Sequence, residues 1–449
     1  MGTSKPALVF ANSKGEIIDY QGLTMAGASG EFFSCPDQNE LIELPEGSEL
    51  FVLPNRLPVG IEPETGEPAL LDCDPYTGDT GIAAVAAFMS PAHTAVYTAA
   101  YQSQNKAPLL PLFAYTAVGW MDGKFWVAAF RSDQDIRQDT AGFDQNVINQ
   151  RTAKKLKQHQ DNRLIQHLGK CCLTYGCPAA RNYFLGRWEA PLPSSPTCNA
   201  SCVGCISLQP SGCCPSTQNR IRFTPTSREI AEIAIPHLEK APRPVVSFGQ
   251  GCEGEPLLQT PLLEQSIQLI RQQTDKGTIN LNSNASLPDA VEKLAVVGLD
   301  SLRVSMNSAR PAFHQRYYRP AGFSFQDVRR SIEVMKAAEK YVSLNYFVLP
   351  GFTDDPDEYD ALCELIAATG PDLIQLRNLN MDPEQYRKAV QHTPKKPPIG
   401  MLRWLESLKA QFPALKFGYF NPYLSREVEK ALVPYNYHYI FLFFLLIIK

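Results

Sequence analysis

Two regions of the chain differ in how apolar and polar positions are spaced. From about residue 186 to 420, short apolar runs alternate with longer segments whose apolar positions follow helical spacing. The short runs predict six strands: Arg187–Leu192, Val245–Phe248, Ile279–Asn282, Ser301–Ser305, Val342–Leu349 and Leu373–Arg377. The longer segments predict five helices: Thr226–Leu238, Leu257–Gln273, Pro288–Val297, Phe325–Ala338 and Pro356–Ala368. Such alternation indicates parallel strands with right-handed crossovers. We therefore predict an α/β fold, a partial (β/α)6 barrel of the TIM type, with a doubly wound sheet as the alternative.

Residues 1–145 have the pattern of a β-rich accessory domain. Ala7–Phe10 and Glu16–Asp19 flank a short polar segment and predict one hairpin. Thr116–Trp120 and Phe125–Phe130 flank an Asp-Gly pair, which is a strong hairpin signal between aromatic-rich runs. Prolines and acidic residues between these runs indicate loops and edge strands.

The remaining boundaries follow from changes in composition. Residues 146–185 are polar, helical in spacing and cysteine-containing, which predicts a connector; residues 186–420 form the predicted barrel, and 421–449 a tail. The tail ends in the apolar run Tyr439–Lys449, about half of the ~20 residues that a membrane-spanning helix requires. A buried strand, a membrane-associating tail and a gene-boundary artefact all remain open, and we assign the tail no function.

Composition predicts the cellular compartment of the protein and, from it, the chemistry of its cysteines. The 449 residues are 44% apolar and 20% charged, as in ordinary soluble globular proteins. Met1–Pro6 does not resemble the start of a signal peptide, so we expect a cytoplasmic protein. In that compartment the twelve cysteines are not expected to form disulfides, and the clustered ones are expected to be metal or redox ligands, whereas Cys35 and Cys73 stand alone and are expected to be inert.

Charge is unevenly distributed along the chain. Residues 1–150 carry 7 Lys and Arg against 19 Asp and Glu, whereas the rest carries 35 against 27. The acidic first third does not favour nucleic acid as a partner, and the milder positive balance behind it suits an anionic substrate or RNA. Two solvated surfaces would explain the same numbers. Membrane association is not predicted.

Three closely spaced cysteines follow the first predicted strand. Cys198, Cys202 and Cys205 can together wrap one soft metal centre. Three ligands leave one iron of a [4Fe–4S] cluster open to a small molecule. A zinc knuckle or buried free cysteines are the alternatives.

The Cys-x3-Cys-x2-Cys spacing of this loop resembles the radical S-adenosylmethionine (SAM) superfamily, in its branch of molybdenum-cofactor and quinone-cofactor maturases. The resemblance covers about residues 186–420. It implies that Cys198, Cys202 and Cys205 hold a [4Fe–4S] cluster whose open iron binds SAM. It further implies reductive cleavage of SAM to a 5′-deoxyadenosyl radical, hydrogen abstraction from a substrate, and an electron donor such as flavodoxin or ferredoxin. Gly204 departs from the family, which usually has an aromatic residue there that packs on the adenine.

The resemblance also assigns cofactor contacts at later strand ends. The glycine-rich segment after the second strand maps onto the family's Gly-Glu-Pro element, which gives Gly254 and Glu255, with Glu253 as a second candidate for the SAM amino group. Alternating polar residues at the next strand ends resemble ribose and carboxylate contacts, and the fifth strand end resembles the backbone contact to adenine. These residues are Asn282, Asn284, Ser305, Asn307 and Leu349.

Further residues are candidates for a substrate or a second cluster. Five polar side chains at the predicted barrel mouth can bind an anionic or amide-rich substrate, or serve as ordinary salt bridges and caps: Arg319, Asn345, Gln375, Arg377 and Asn380. Six more cysteines form a candidate auxiliary cluster, with buried thiols as the alternative: Cys171, Cys172, Cys177, Cys213, Cys214 and Cys252.

These observations favour a radical SAM enzyme acting on a peptide, a protein or a small molecule. RNA is the alternative substrate. A non-catalytic iron–sulfur or zinc protein is the alternative class, although it would not need Glu255 and the polar strand ends. An ordinary barrel enzyme has no Ser/His/Asp or paired-carboxylate arrangement to support it, and His237 and His314 look isolated.

Overall fold

The structure, a computed structural model, describes residues 5–209 and 215–424. The apolar run at the carboxyl terminus and two of the candidate cluster residues, Cys213 and Cys214, lie outside the described residues. Among the described helices, none is long and apolar enough to cross a membrane.

The first part of the chain is built almost entirely from antiparallel strands. Eleven strands belong to one sheet, while β3, β4 and β11 form a small separate one. Their bounds are β1 Ala7–Ala11, β2 Ile17–Met25, β3 Gly27–Ser29, β4 Phe32–Ser34, β5 Leu41–Glu43, β6 Glu49–Leu53, β7 Arg56–Ile61, β8 Pro68–Leu70, β9 Ala83–Phe88, β10 His93–Ala95, β11 Thr98–Ala99, β12 Tyr101–Ser103, β13 Val118–Met121 and β14 Lys124–Arg131.

Both predicted hairpins are present. β1 pairs antiparallel with β2, and β13 pairs antiparallel with β14 so that Trp120 faces Phe125. The β13–β14 turn consists of Asp122 and Gly123, which both have positive φ values of 53° and 76°. Asp and Gly tolerate this backbone region, and the resulting tight turn matches the twist of the two strands.

Three helices follow the β-rich part: α1 Gln145–Gln158, α2 Arg163–Leu173 and α3 Pro178–Leu185. The predicted helical connector is divided between α1 and α2, because Asn162 caps a new helix by accepting a hydrogen bond from Ile165 N. Their apolar faces are buried with those of the later strands and helices; Ile148, Leu168 and Tyr183 belong to the same hydrophobic core.

A parallel sheet of seven strands occupies the rest of the described chain, with the strands in chain order. They are β15 Glu189–Pro191, β16 Val245–Phe248, β17 Thr278–Ser283, β18 Ser301–Met306, β19 Tyr341–Val348, β20 Leu373–Asn378 and β21 Lys416–Gly418. A doubly wound sheet reverses its strand order, so the chain order confirms the partial barrel. The predicted count of six strands missed β21, which pairs parallel with β20.

Eight helices accompany these strands: α4 Ser227–Lys240, α5 Thr260–Gln273, α6 Pro288–Val296, α7 Pro311–Tyr318, α8 Phe325–Ala337, α9 Pro356–Thr369, α10 Pro383–Val390 and α11 Met401–Gln411. The five predicted helices are confirmed as α4, α5, α6, α8 and α9. The predicted capping box is also present, since Thr226 and Glu229 each accept a backbone hydrogen bond from the other residue. The sequence analysis did not predict α7, α10 and α11.

Side chains of the parallel strands alternate between an apolar outer layer and a polar interior. Ile279 and Leu281 of β17 belong to the hydrophobic core shared with the helices, whereas Asn280 and Asn282 lie on the other face and bond to each other. β18 repeats the pattern with Leu302 and Val304 in the core. The inside of the half-barrel, called the chamber below, is therefore lined by polar side chains rather than by a packed apolar core.

The β-rich part is fixed to the rim of this chamber. Arg56 and Asp382, at the start of α10, form an ion pair at 2.8 Å with both side chains almost fully buried. At the end of β20, Asn378 accepts a hydrogen bond from Ala95 N and donates one to His93 O. Because these contacts lie at the carboxyl end of a parallel strand, the β-rich part adjoins the face where such sheets bind ligands.

Candidate active site

The loop that carries the three motif cysteines leaves the carboxyl end of β15. Its backbone pairs with the chain that leaves α7: Ser201 N donates to Tyr318 O at 2.9 Å and Val203 N to Tyr317 O at 3.0 Å. Ala321 N donates back to Asn199 O at 2.8 Å. This pairing holds Cys198, Cys202 and Cys205 against the barrel, each partly buried.

The three thiols suit a multi-iron cluster better than a single ion. Burial raises the pKa of Cys198 and of Cys202, and the neighbouring thiols raise the pKa of Cys202 further. Three thiolates together therefore need a cationic centre. A tetrahedral zinc ion would draw its sulfur ligands to within about 3.8 Å of one another. In the described residues the sulfur atoms of Cys198, Cys202 and Cys205 do not all lie within 4.8 Å of one another.

Gly204 has no room for the aromatic side chain that the family usually has there. A Cβ atom at this position would lie 3.0 Å from both Met381 Sδ and Tyr317 Oη. Tyr317 is itself buried among aromatic rings, with Phe347 and Tyr386 at centroid distances of 5.6 and 5.7 Å. The space beside the third cysteine is thus occupied by a ring that comes from α7.

The glycine-rich loop after β16 lies against the start of the cysteine loop. Gly254 N donates to Ser195 O at 2.7 Å, and Glu255 N donates to Thr197 O at 2.8 Å. A side chain at position 254 would collide with the Thr197 carbonyl, so only glycine permits this approach. The structure therefore brings Gly254 and Glu255 next to Cys198.

Glu253 holds the two loops together. It is 4% exposed, and five donors point at its carboxylate: the backbone N–H groups of Ser194, Ser195, Gly249 and Gln250, and the Ser194 hydroxyl, at 2.7–3.0 Å. Burial raises the pKa of Glu253 to about 7, and these donors oppose the shift. All of these contacts are made within the protein, so the Glu253 side chain connects the segment after β15 to the segment after β16.

Glu255 joins the same loop to the end of β17. Its carboxylate accepts hydrogen bonds from Ser283 Oγ at 2.6 Å, Asn284 N at 2.9 Å and Leu257 N at 3.0 Å. Asn284 in turn donates to Asn199 Oδ1 at 2.8 Å. Three successive strand ends thus meet at the cysteine loop, and burial raises the pKa of Glu255 there.

The interior below this junction contains the other polar candidates on β17 and β18. Asn282 Oδ1 accepts hydrogen bonds from Asn280 and Asn421, whereas its buried Nδ2 has no partner among the described residues. Ser305 lies on the inner face of β18 and is partly exposed. An amide donor without a partner and a nearby hydroxyl suit a polar ligand that enters the chamber.

Two predicted cofactor contacts are engaged elsewhere. Asn307 donates to Tyr386 Oη at 3.1 Å and to Phe313 O at 3.3 Å, so its amide group faces α7 and α10. Leu349 is buried in an aromatic cluster, and its N–H donates to Thr353 Oγ1 at 2.8 Å. Both residues build the wall behind the site.

The candidate substrate residues separate into two groups. Asn345, Gln375 and Arg377 line the chamber, whereas Arg319 and Asn380 are exposed. Arg377 lies over the Tyr419 ring at 3.8 Å, and Gln375 bonds to Asn421 at 3.0 Å. Tyr419 and Asn421 follow β21, and the sequence analysis missed them because their position depends on that unpredicted strand.

Arg303 is a further chamber residue that the sequence analysis missed. It faces Asn282 and Ser343 across the register of β17 to β19, and its Nη1 donates to Gln375 Oε1 at 3.4 Å. Burial, and then the charge of Arg377, lowers the pKa of Arg303 to about 9. The signal was present in the alternation Ser301, Arg303, Ser305 on a predicted strand.

The described candidates for an auxiliary cluster also separate. Cys171 and Cys252 lie together with His167, all three ligand atoms within 4.8 Å. Cys172 bonds to Thr152 Oγ1 at 3.5 Å, and Cys177 precedes α3 as its N-terminal cap residue. His167 was missed, although His167 and Cys171 are four residues apart on one helix and therefore share a face.

Comparisons with known proteins agree with the cysteine loop. Residues 192–363 match the family model described as Radical SAM superfamily. The comparison with curated proteins found no match.

Solved structures with a similar fold include three of 14–16% identity. Methylornithine synthase has a TM-score of 0.37, with 54% of this chain and 68% of that chain covered. The FeFe-hydrogenase maturase from Carboxydothermus hydrogenoformans has a TM-score of 0.36, with 61% and 70% covered. Streptococcus suis SuiB bound to precursor peptide SuiA also has a TM-score of 0.36, with 54% and 53% covered, so the match spans about half of SuiB.

Proposed function

The chain belongs to the radical SAM enzymes, which use a [4Fe–4S] cluster and SAM, and we propose that it abstracts a hydrogen atom from an anionic substrate held inside its half-barrel. When bound, the cluster and SAM supply the 5′-deoxyadenosyl radical for this step. Cys198, Cys202 and Cys205 are the proposed cluster ligands, supported by their spacing and by their position at the carboxyl end of β15. An electron donor such as flavodoxin or ferredoxin is part of the proposal.

The paired loops are proposed to orient SAM. Glu255 Oε2 accepts one hydrogen bond in the structure, from Asn284 N, and so retains capacity for an ammonium group. Gly254 presents backbone beside it, and the unpartnered Asn282 amide and the Ser305 hydroxyl face the chamber. Asn284 is assigned to the junction through its bond to Asn199, and Asn307 and Leu349 to the supporting wall.

The substrate class rests on two arginines inside the chamber. No carboxylate among the described residues forms an ion pair with Arg303 or Arg377, and the Nε atoms of both are buried without a partner. The Asn345 amide oxygen nearby is also unpartnered. The two guanidinium groups repel each other, and the Glu189 carboxylate offsets this at Arg303 without forming an ion pair with it. An anion between the two arginines would relieve the remaining repulsion and accept their hydrogen bonds.

The class of reaction is tested by reconstituting the protein anaerobically with iron and sulfide and adding SAM and dithionite. We expect 5′-deoxyadenosine from the wild type and none from the C198A/C202A/C205A variant. If a fully loaded wild type forms no 5′-deoxyadenosine and SAM leaves the electron paramagnetic resonance signal of the cluster unchanged, the proposed chemistry is wrong.

The substrate class is tested with the same assay and a fractionated metabolite and peptide extract. We expect fractions retained on an anion exchanger to stimulate 5′-deoxyadenosine formation by the wild type. The R303M and R377M variants should keep the unstimulated rate and lose the stimulation. Stimulation only by fractions that the anion exchanger does not retain would contradict an anionic substrate.

A further inference from the structure

A second group of metal-ligating side chains lies outside the cysteine loop. His167 and Cys171 are on α2, and Cys252 is in the glycine-rich loop after β16. One ligand atom from each residue lies within 4.8 Å of the other two. Among the described residues, no other three His, Cys, Asp or Glu ligand atoms meet this limit. Cys171 and Cys252 are 1% and 4% exposed.

We propose that His167, Cys171 and Cys252 bind one zinc ion that fastens α2 to the glycine-rich loop. A tetrahedral zinc ion with ordinary bond lengths holds a sulfur and a nitrogen ligand about 3.6 Å apart. Cys171 Sγ and His167 Nε2 are 3.5 Å apart. Two soft thiolates with one imidazole are a donor set that zinc prefers, and one position remains for a further ligand.

The arrangement distinguishes this site from an auxiliary iron–sulfur cluster. A cluster would recruit neighbouring thiols, yet Cys172 points to Thr152 on α1 and the Cys177 sulfur is not part of the close set. A disulfide between Cys171 and Cys252 would not involve His167, although His167 Nε2 lies 3.5 Å from Cys171 Sγ. The three ligand atoms instead lie within 4.8 Å of one another, close enough for a single ion to bind all three.

The position of the ion gives it a structural consequence for the active site. Cys252 directly precedes Glu253, whose carboxylate fastens the loop to Ser194 and Ser195, and Glu255 follows two residues later. An ion at Cys252 therefore anchors the opposite side of the same loop to the helices before the barrel. It would hold the loop in place without contacting SAM.

The test uses the full-length C198A/C202A/C205A variant, purified anaerobically, so that the motif cysteines cannot bind metal. Elemental analysis after dialysis should give about one zinc per chain. Replacing zinc by Co²⁺ should give the intense visible bands of tetrahedral thiolate coordination. His167→Gln, Cys171→Ser and Cys252→Ser, each added to this background, should weaken zinc binding at least about tenfold.

Cys172→Ser is the matched control, because Cys172 is equally buried on the same helix and should leave zinc binding unchanged. His167 is partly exposed, so His167→Gln should fold even if a buried cysteine variant does not. Absence of zinc and of the Co²⁺ bands would overturn the proposal. So would zinc retention in all three ligand variants, stoichiometric acid-labile sulfide after reconstitution, or a Cys171–Cys252 disulfide in the anaerobic protein. None of these results depends on SAM cleavage.

Discussion

The half-barrel has two sides whose polar groups differ in how completely they are paired: the loops after β15, β16 and β17, and the inner faces of β17 to β20. At the ends of β15, β16 and β17, Glu253 and Glu255 each accept several internal hydrogen bonds. On the inner faces of β17 to β20, Asn282, Arg303, Asn345 and Arg377 each leave a buried polar atom with no partner among the described residues. Unpaired buried groups cost stability, so a fold retains them where a ligand completes them. The comparison separates a preformed frame for the cofactor from an open site for the substrate.

The largest effect is expected at the centre of the paired side. Glu253→Ala leaves five donors inside the protein without an acceptor, and we expect the free energy of unfolding to fall by about 4 kcal/mol. Chemical denaturation measures the loss. Glu239→Ala, an exposed change on α4, should alter it by less than about 0.5 kcal/mol. Equal effects of the two variants would mean that Glu253 does not fasten the loops.

On the unpaired side the expected sign is opposite. Arg303→Met removes a charge that has no acid partner, so the free energy of unfolding should stay the same or rise by about 1 kcal/mol. Arg56→Met is the matched control, because Arg56 is buried and paired with Asp382, and its loss should cost about 3 kcal/mol. The same denaturation experiment checks both. If Arg303→Met strongly destabilised the protein, Arg303 would belong to the residues that stabilise the fold rather than to the proposed substrate site.

Measuring the free energy of unfolding against pH tests how much a paired group outside the chamber, the Glu229 carboxylate, contributes to stability. Arg163, followed by the hydrogen bonds of Thr226, lowers the pKa of Glu229 to about 2, against an ordinary value of 4.5. The ionised form is favoured in the folded state, so its stabilisation is present above pH 4.5 and is lost as pH falls toward 2. Arg163 is half exposed, so we expect only about 1 kcal/mol after solvent screening. Glu229→Gln should lose this dependence between pH 2 and 4.5, measured as the difference from wild type.

The smallest effect is expected at Gly204, the position where the family usually has an aromatic residue. Gly204→Ala should lower the free energy of unfolding by less than about 1 kcal/mol, because its Cβ meets Met381 and the Tyr317 hydroxyl closely. Tyr317→Phe removes that hydroxyl, so the double variant should recover part of the loss in a double-mutant cycle. Additive effects of the two changes would mean that Tyr317 does not limit position 204.

Local patterns were sufficient for much of this protein. The first six strands of the parallel sheet, the Asp-Gly hairpin and the Thr226 capping box each depend on neighbouring residues, and the structure confirms them. The cysteine spacing alone indicated the family. β21 and α7 escaped prediction because their own segments carry no apolar periodicity that stands out from the surrounding loops.

What the sequence determined by itself is the order of the first six parallel strands and of five of their helices, the polar inner face of β17 and β18, and the loop that carries Cys198, Cys202 and Cys205. Only the tertiary structure decided that Glu253 is surrounded by donors while Arg303 and Arg377 have no acid partner. It alone brought His167 and Cys171 to Cys252, about 80 residues away along the chain, and Tyr317 to Gly204. The physical reason is that spacing along a chain fixes which face a side chain occupies, whereas its partners come from remote elements that only packing brings within hydrogen-bonding distance.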